Sequence, residues 1–221
     1  MEEFNCKVVL VGDSRCGKTA LIHRFTNDNF LEVYTPTGFE RYTTSYEVGD
    51  YTINFTVWDT SGAHAYNTVR PLAYKDSNVF FLCFLISEPD SLENTMYKWY
   101  PEVRNNSTNV PVILCGCQSD LRTDSDTLTS LAKIKKAPVS SEQALAVSRQ
   151  IGATTYVETS SRLSGRSVRD AFEVAALAAL GKLNKNHVTV PRHTTLVKSK
   201  YKSKIYLKDD FRDRAKNCIV M

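Results

Sequence analysis

Apolar positions along the chain follow two rhythms in turn, and their alternation sets the fold class. Val8 to Val11 is a short β-branched run of a buried strand, and from Thr19 to Phe25 the apolar residues recur at helical spacing. Tyr42 to Val48 and Tyr51 to Trp58 alternate apolar and polar around Gly49-Asp50, which predicts a β-hairpin. Val79 to Ile86, the longest apolar run, predicts the central buried strand and is far too short to span a membrane. Ser91 to Asn105 reads as a helix bounded by Pro89, Val110 to Cys115 as a further parallel strand, and Thr155 to Val157 as the next. Ser140 and Gln143 make a capping box for a helix to Ile151, and Ser167 to Lys182 is a final amphipathic helix rich in alanine. Strands alternating with helices predict an α/β fold, its mostly parallel sheet carrying the hairpin as one antiparallel edge. Beyond Gly181 the apolar rhythm is lost, which predicts a tail disordered until bound.

Between the first strand and the first helix stands Gly12-Asp13-Ser14-Arg15-Cys16-Gly17-Lys18-Thr19, a full G-x-x-x-x-G-K-T phosphate loop in the context the motif requires. Backbone N–H groups around Gly17 would form a nest at a helix N-terminus, Lys18 would meet the β and γ phosphates, and the Thr19 hydroxyl would ligate Mg²⁺. The later elements choose the base. Asp120, in Cys117-Gln118-Ser119-Asp120, lies just beyond a parallel strand, where ligands of open α/β sheets bind. Its carboxylate only accepts, so it can take the ring N–H and exocyclic amine of guanine, a donor pair that adenine does not present. Backbone N–H groups of Thr159, Ser160 and Ser161 could reach the guanine carbonyl. GTP with Mg²⁺ is therefore the expected ligand pair, and the lack of a lid or second-substrate motif argues against a nucleotide kinase. Asp59-Thr60-Ser61-Gly62-Ala63 carries the signature of a GTP-hydrolysing switch, with alanine where the water-positioning glutamine would stand.

These motifs, with Tyr34-Thr35-Pro36-Thr37 before Phe39-Glu40-Arg41-Tyr42, Trp58-Asp59-Thr60 and Val69-Arg70-Pro71-Leu72, resemble a small GTPase of the Rho family. The segment Asp124 to Lys136 matches the inserted helix of that family. Within it, the chain is similar to the GTPase-deficient Rnd subgroup through Asp59-Thr60-Ser61-Gly62, Gly116-Cys117, Ser160-Ser161-Arg162 with Ser167-Val168-Arg169-Asp170, and Asp213-Arg214-Ala215-Lys216 before the terminal cysteine. The resemblance implies the small-GTPase fold, a six-stranded sheet with helices on both faces, in a domain over residues 1–181. It also implies that Asp13 to Ala20, Phe30, Tyr34, Thr37, Asp59, Gly62, Cys117, Gln118, Asp120, Ser160 and Ser161 meet the nucleotide, that Thr19 and Thr37 hold the metal, and that Tyr34 to Tyr42, Gly38 included, dock effectors. The expected partners are effectors and regulators, with Rho-directed GTPase-activating proteins and plexin cytoplasmic domains as candidates. The expected effect is antagonism of contractile Rho signalling to actin.

Departures from the family carry the mechanism. In a hydrolysing switch a glutamine holds the attacking water, and an arginine finger raises the rate roughly 10⁵-fold. Ala63 holds no water, and Ser14, where the family mostly has glycine, would crowd the space that glutamine and finger share. No catalytic residue is therefore expected; binding should survive while turnover fails. Gln118 replaces the family's lysine, which lies along the base and braces the phosphate loop, so nucleotide affinity should fall. Gly38, where the family has valine, should loosen the effector loop. Two alternatives stay open: a slow cycling GTPase rescued by His64 or Arg15, and a nucleotide-free scaffold, which Gln118 makes conceivable.

Charge adds a membrane reading. Of the 221 residues, 1–181 hold 17 basic and 21 acidic side chains, while 182–221 hold 11 basic and 3 acidic, so a tail of net +8 follows a domain of net −4. Such asymmetry marks an interaction tail for an anionic surface. Cys218-Ile219-Val220-Met221 reads as a C-a-a-X farnesylation signal, which selects membrane over nucleic acid. One chain anchors only reversibly. Lys198, Lys200, Lys202, Lys204 and Lys208 would add on the order of 1 kcal/mol each near an anionic leaflet, diluted by Asp209, Asp210 and Asp213. Phosphorylation of Ser199 or Ser203 would weaken that attraction. The expected location is the cytoplasmic face of the plasma membrane or endomembranes, with a cytosolic pool of monomer. The first residues lack a signal-peptide pattern, and Glu2 excludes myristoylation. Six cysteines show no paired framework, with Cys6, Cys83 and Cys115 in strands and Cys16 and Cys117 in nucleotide loops, so reduced thiols are expected. Cys115-x-Cys117 lacks a second pair at zinc spacing and is not read as a metal site.

Overall fold

The computed structural model describes residues 2–33, 35–48 and 51–183. Tyr34, Gly49, Asp50 and everything from residue 184 on, including Cys218, Ser199, Ser203 and the lysine run, lie outside the described residues. The strands are β1 (Glu2–Gly12), β2 (Phe39–Val48), β3 (Tyr51–Thr60), β4 (Val79–Leu85), β5 (Val112–Cys117) and β6 (Thr155–Thr159). They form one sheet in the order β2-β3-β1-β4-β5-β6. Every neighbouring pair is parallel except β2 and β3, which run antiparallel at the edge. This is the expected six-stranded arrangement.

Side-chain alternation along β1 explains why helices cover both faces. Val8 and Leu10 join a core with α1 (Lys18–Asn27) and α6 (Arg166–Ala179), while Val9 and Val11 face α2 (Pro89–Asn94), α3 (Tyr100–Asn106) and α5 (Ser141–Gln150). Phe172 of α6 anchors the first core, stacked on Phe25 at 3.7 Å and edge-on to Phe55 and Phe81. The inserted segment forms α4 (Ser125–Lys133), capped by the Asp124 carboxylate, which accepts from Thr127 N at 2.9 Å. Among the described residues no helix is long and apolar enough to cross a membrane.

Several boundaries differ from expectation for physical reasons. β1 starts at Glu2, because parallel pairing with β3 runs from Glu2 opposite Tyr51 to Leu10 opposite Asp59 and needs no apolar side chains at its outer end. β5 ends at Cys117, which is therefore a strand residue and not a loop residue. The helix expected over Ser91 to Asn105 contains a π turn at Thr95–Trp99, where Tyr100 N bonds to Thr95 O. Pro101 has no N–H to give the preceding turn and crowds it, and a widened turn absorbs the misfit. α5 carries the expected capping box, with Gln143 N donating to Ser140 Oγ at 3.2 Å and Ser140 N to Gln143 Oε1 at 2.9 Å. α1 begins differently: its N-cap is Gly17 at φ 104°, and no described side chain caps it.

Candidate nucleotide-binding site

Strand order reverses beside β1, whose neighbours are β3 and β4, and ligands of open α/β sheets sit at such a point beyond the strands' carboxyl ends. The loops leaving β1, β3, β5 and β6 there enclose a cleft of about 780 Å³, in the range of small-molecule sites. Lys18 lies at its floor, 6% exposed, with its ammonium donating to Gly12 O at 2.9 Å and Asp13 O at 2.7 Å. These bonds wrap the loop around the lysine. Gly12 must be glycine, since a Cβ there would stand 2.2 Å from Cys83 O. Ser14, Arg15, Gly17, Thr19 and Ala20 line the cleft with Lys18. Cys16 is buried beneath it, and burial pushes its thiol up to about 12. Asp13 turns away: its carboxylate accepts from Trp99 Nε1 at 2.9 Å and Asn94 Nδ2 at 2.7 Å, so only its backbone faces the loop.

At the metal end, Thr19 Oγ1 lies 2.7 Å from Thr37 Oγ1 and donates to Asp59 Oδ2 at 2.5 Å. Asp59 is fully buried, and its Oδ1 has no hydrogen-bond partner among the described residues. Burial raises its pKa, with the Thr19 bond opposing. An unpartnered carboxylate oxygen beside two hydroxyls is costly in a dry core and supplies the hard oxygens that Mg²⁺ takes. The residues therefore fit the ion: Thr19 and Thr37 would hold it with Asp59 behind them. When bound, the ion would neutralise charge on the phosphate oxygens.

At the base end, Asp120 sits on a 3₁₀ turn at Ser119–Arg122 and accepts from Ser160 Oγ at 2.6 Å. Ser160 N already donates to Ser167 Oγ at 3.1 Å, so this N–H is committed and Ser160 acts by steadying Asp120. Ser161 lines the cleft, its carbonyl held by Arg24 Nε at 2.7 Å. Gln118 lies against the phosphate loop, its Nε2 only 3.4 Å from where a Cβ on Gly17 would be. Although shorter than lysine, it still touches that loop. Phe30 forms part of the wall, and so do Leu31, Glu32, Leu121 and Arg162, which sequence reasoning missed. Adjacency to a motif was the one signal for Leu121 and Arg162.

The two switch segments meet the cleft from its open side. Gly62 packs on the phosphate loop so closely that a Cβ would stand 2.3 Å from Ser14 N. The wall includes Ser61 and Gly62, whereas Ala63 and His64 are exposed and outside it. Thr35 and Pro36 form the opposite lip, and Glu40, Arg41 and the half-buried Tyr42 continue into β2. A Cβ on Gly38 would lie 3.2 Å from Tyr66 Oη, so the missing side chain leaves room for Tyr66, whose ring is 5.9 Å from Phe39. Arg70, fully buried, ties the second segment down through Ser61 O at 2.7 Å and Glu102 Oε1 at 2.8 Å, and its guanidinium lies 4.6 Å over Trp99.

A phosphate cradle, a guanine-selecting carboxylate and two segments facing one cleft define a GTP-binding switch, and the Ras family model matches residues 7–180, so the chain belongs to the Ras family, which binds GTP with Mg²⁺. Within that family it is of the Rho type and the Rnd kind. It is 43% identical to the Rho-related GTP-binding protein RhoE of Homo sapiens over 225 aligned positions, covering 100% of this chain and 92% of the relative. It is 44% identical to the GTP-binding protein RHO1 of Saccharomyces cerevisiae, with 88% of this chain and 92% of that protein covered. The RHO1 protein of Candida albicans is also 44% identical, over 80% of this chain and 89% of its own length.

Proposed function

We propose that this Rho-family protein holds GTP persistently and works by docking partners, with little or no hydrolysis. One observation carries the reading: the cleft wall ends at Gly62, and the next residue, Ala63, is an exposed methyl outside it. Hydrolysis of this type relies on positioning water and stabilising transition-state charge. Ala63 offers neither, and the exposed His64 lies outside the wall as well. Ser14 adds a side chain beside Gly62, where an incoming arginine would need room. The phosphate cradle, the Thr19, Thr37 and Asp59 group and Asp120 are independent of both changes, which supports binding without turnover.

The docking surface is Tyr34 to Tyr42 with the segment from Ala63 to Tyr74, where Val69 and Leu72 are exposed apolar side chains. Candidate partners are Rho-directed activating proteins and plexin cytoplasmic domains, and the effect is relief of Rho-driven contractility. A farnesyl group on Cys218 with the basic tail tethers the protein to anionic cytoplasmic membrane surfaces.

Phosphate release from preloaded GTP tests the central claim. The native chain should show negligible single-turnover release with or without a Rho-directed activating protein. Ala63→Gln alone should recover little, and Ala63→Gln with Ser14→Gly a clear activated rate, the non-additive pattern of groups that act as a unit. Activator-stimulated release from the native chain would instead make it a cycling GTPase.

A further inference from the structure

Cys83, Cys115 and Cys117 take no part in the chemistry above that their sulfurs would explain. Cys83 and Cys115 are register partners on β4 and β5, and Cys117 follows Cys115 by two residues, so the three side chains leave one face of the sheet. All three are buried, their sulfurs lie within 4.8 Å of one another, and Cys115 Sγ is 4.0 Å from Cys117 Sγ. The short Cys115-x-Cys117 spacing hid this grouping, because the third sulfur arrives from the neighbouring strand. We propose that Cys83, Cys115 and Cys117 form a three-sulfur binding site for a soft, thiophilic cation of the Cu(I) class.

Three sulfurs each about 2.3 Å from a common ion in a plane stand about 4 Å apart; Cys115 and Cys117 already have that separation, and Cys83 lies within 4.8 Å of both. Thiolates select soft ions such as Cu(I), and Mg²⁺ or Ca²⁺ is excluded by the absence of oxygen ligands within this trio. Zinc in a closed structural site takes four ligands. The neighbouring heteroatom on β6, Thr159 Oγ1, is 3.7 Å from Cys115 Sγ and is a neutral hydroxyl, a poor fourth ligand for zinc. Binding converts three thiols and one Cu(I) into Cu(I) held by two thiolates and one thiol, with two protons released and no change of oxidation state. The centre then carries one negative charge, and Lys18 is the cation whose field reaches Cys83 and Cys117.

The trio packs directly beneath the phosphate loop, with Cys117 Cβ 3.3 Å from where a Cβ on Gly17 would be. The sulfur geometry does not rest on the nucleotide reading. The test is anaerobic titration of the reduced full chain with Cu(I) in competition with bicinchoninate, followed by X-ray absorption. One equivalent should bind, with a first shell of three sulfurs. Cys115→Val places an apolar, strand-favouring residue in a buried strand and should still bind a fluorescent guanine nucleotide, yet lose at least about tenfold in Cu(I) affinity. Cys83→Ala should lose as much, while Cys6→Ala, midway along β1 and six residues before the Gly12 that pairs with Cys83, should lose nothing. Undiminished Cu(I) affinity in Cys115→Val, a shell of fewer than three sulfurs, or Zn²⁺ bound in preference to Cu(I) would overturn the site. Nucleotide binding measured on the same samples separates its failure from failure of the GTP reading.

Discussion

Gln118 shows how much one side chain decides at the base end of the cleft. Its amide lies on Gly17 but brings no charge, and its backbone, at φ 57° and ψ 50°, is in the left-handed region that lysine enters no less readily. Gln118→Lys should therefore gain an ammonium near the phosphate loop at no backbone cost. GTP dissociation, followed with a fluorescent guanine nucleotide, should slow by about fivefold, corresponding to roughly 1 kcal/mol for one charge-assisted contact. An unchanged rate would mean that the neutral contact already does the lysine's work. Residues whose role follows from phosphate or guanine chemistry were legible in the sequence, because Lys18, Thr19 and Asp120 occupy spacings that chemistry dictates. The outward turn of Asp13 and the commitment of Ser160 N were not, because they depend on Trp99, Asn94 and Ser167, which only the folded chain brings near.

Among the elements, the helix interrupted at Thr95–Trp99 does the most to hold the site in shape. Its π turn sets Trp99 against Asp13 of the phosphate loop, and α3 sets Glu102 against Arg70 of the second switch segment. One brace thus touches both halves of the phosphate end. Arg70 is fully buried, so deleting its partner leaves an uncompensated charge, and Glu102→Ala should cost about 3–5 kcal/mol. The Lys136–Asp90 pair has similar geometry but side chains 40% and 65% exposed, so Asp90→Ala should cost less than about 1 kcal/mol. Urea unfolding of the two variants gives the comparison, and equal losses would remove the brace from this account. Helix and strand types were legible from periodicity. The π turn was not, since Pro101 signals an interruption in a helical pattern without saying whether the helix breaks, kinks or widens.

For the whole molecule, the division of charge between a domain of net −4 and a tail of net +8 makes attachment reversible in the proposed reading. A single lipid binds marginally, and the lysines add attraction that salt screens. Cys218→Ser should release the protein from membranes in a fractionation assay, and raised salt should loosen the native chain; unchanged retention of the variant would sink the two-signal account. A different kind of dependence is built into the start of α1. α5 closes its first turn with its own Ser140 and Gln143, whereas α1 opens on Gly17 with no described side chain over its first N–H groups. The cap of α1 is then a molecule from outside the chain, and that molecule counts among the parts of the fold. Losing it exposes the first turn of a helix that packs against the Phe172 core, so local opening would begin at the pocket and run inward. Nucleotide supply in the cell would then govern how long the folded chain lasts as well as whether it signals.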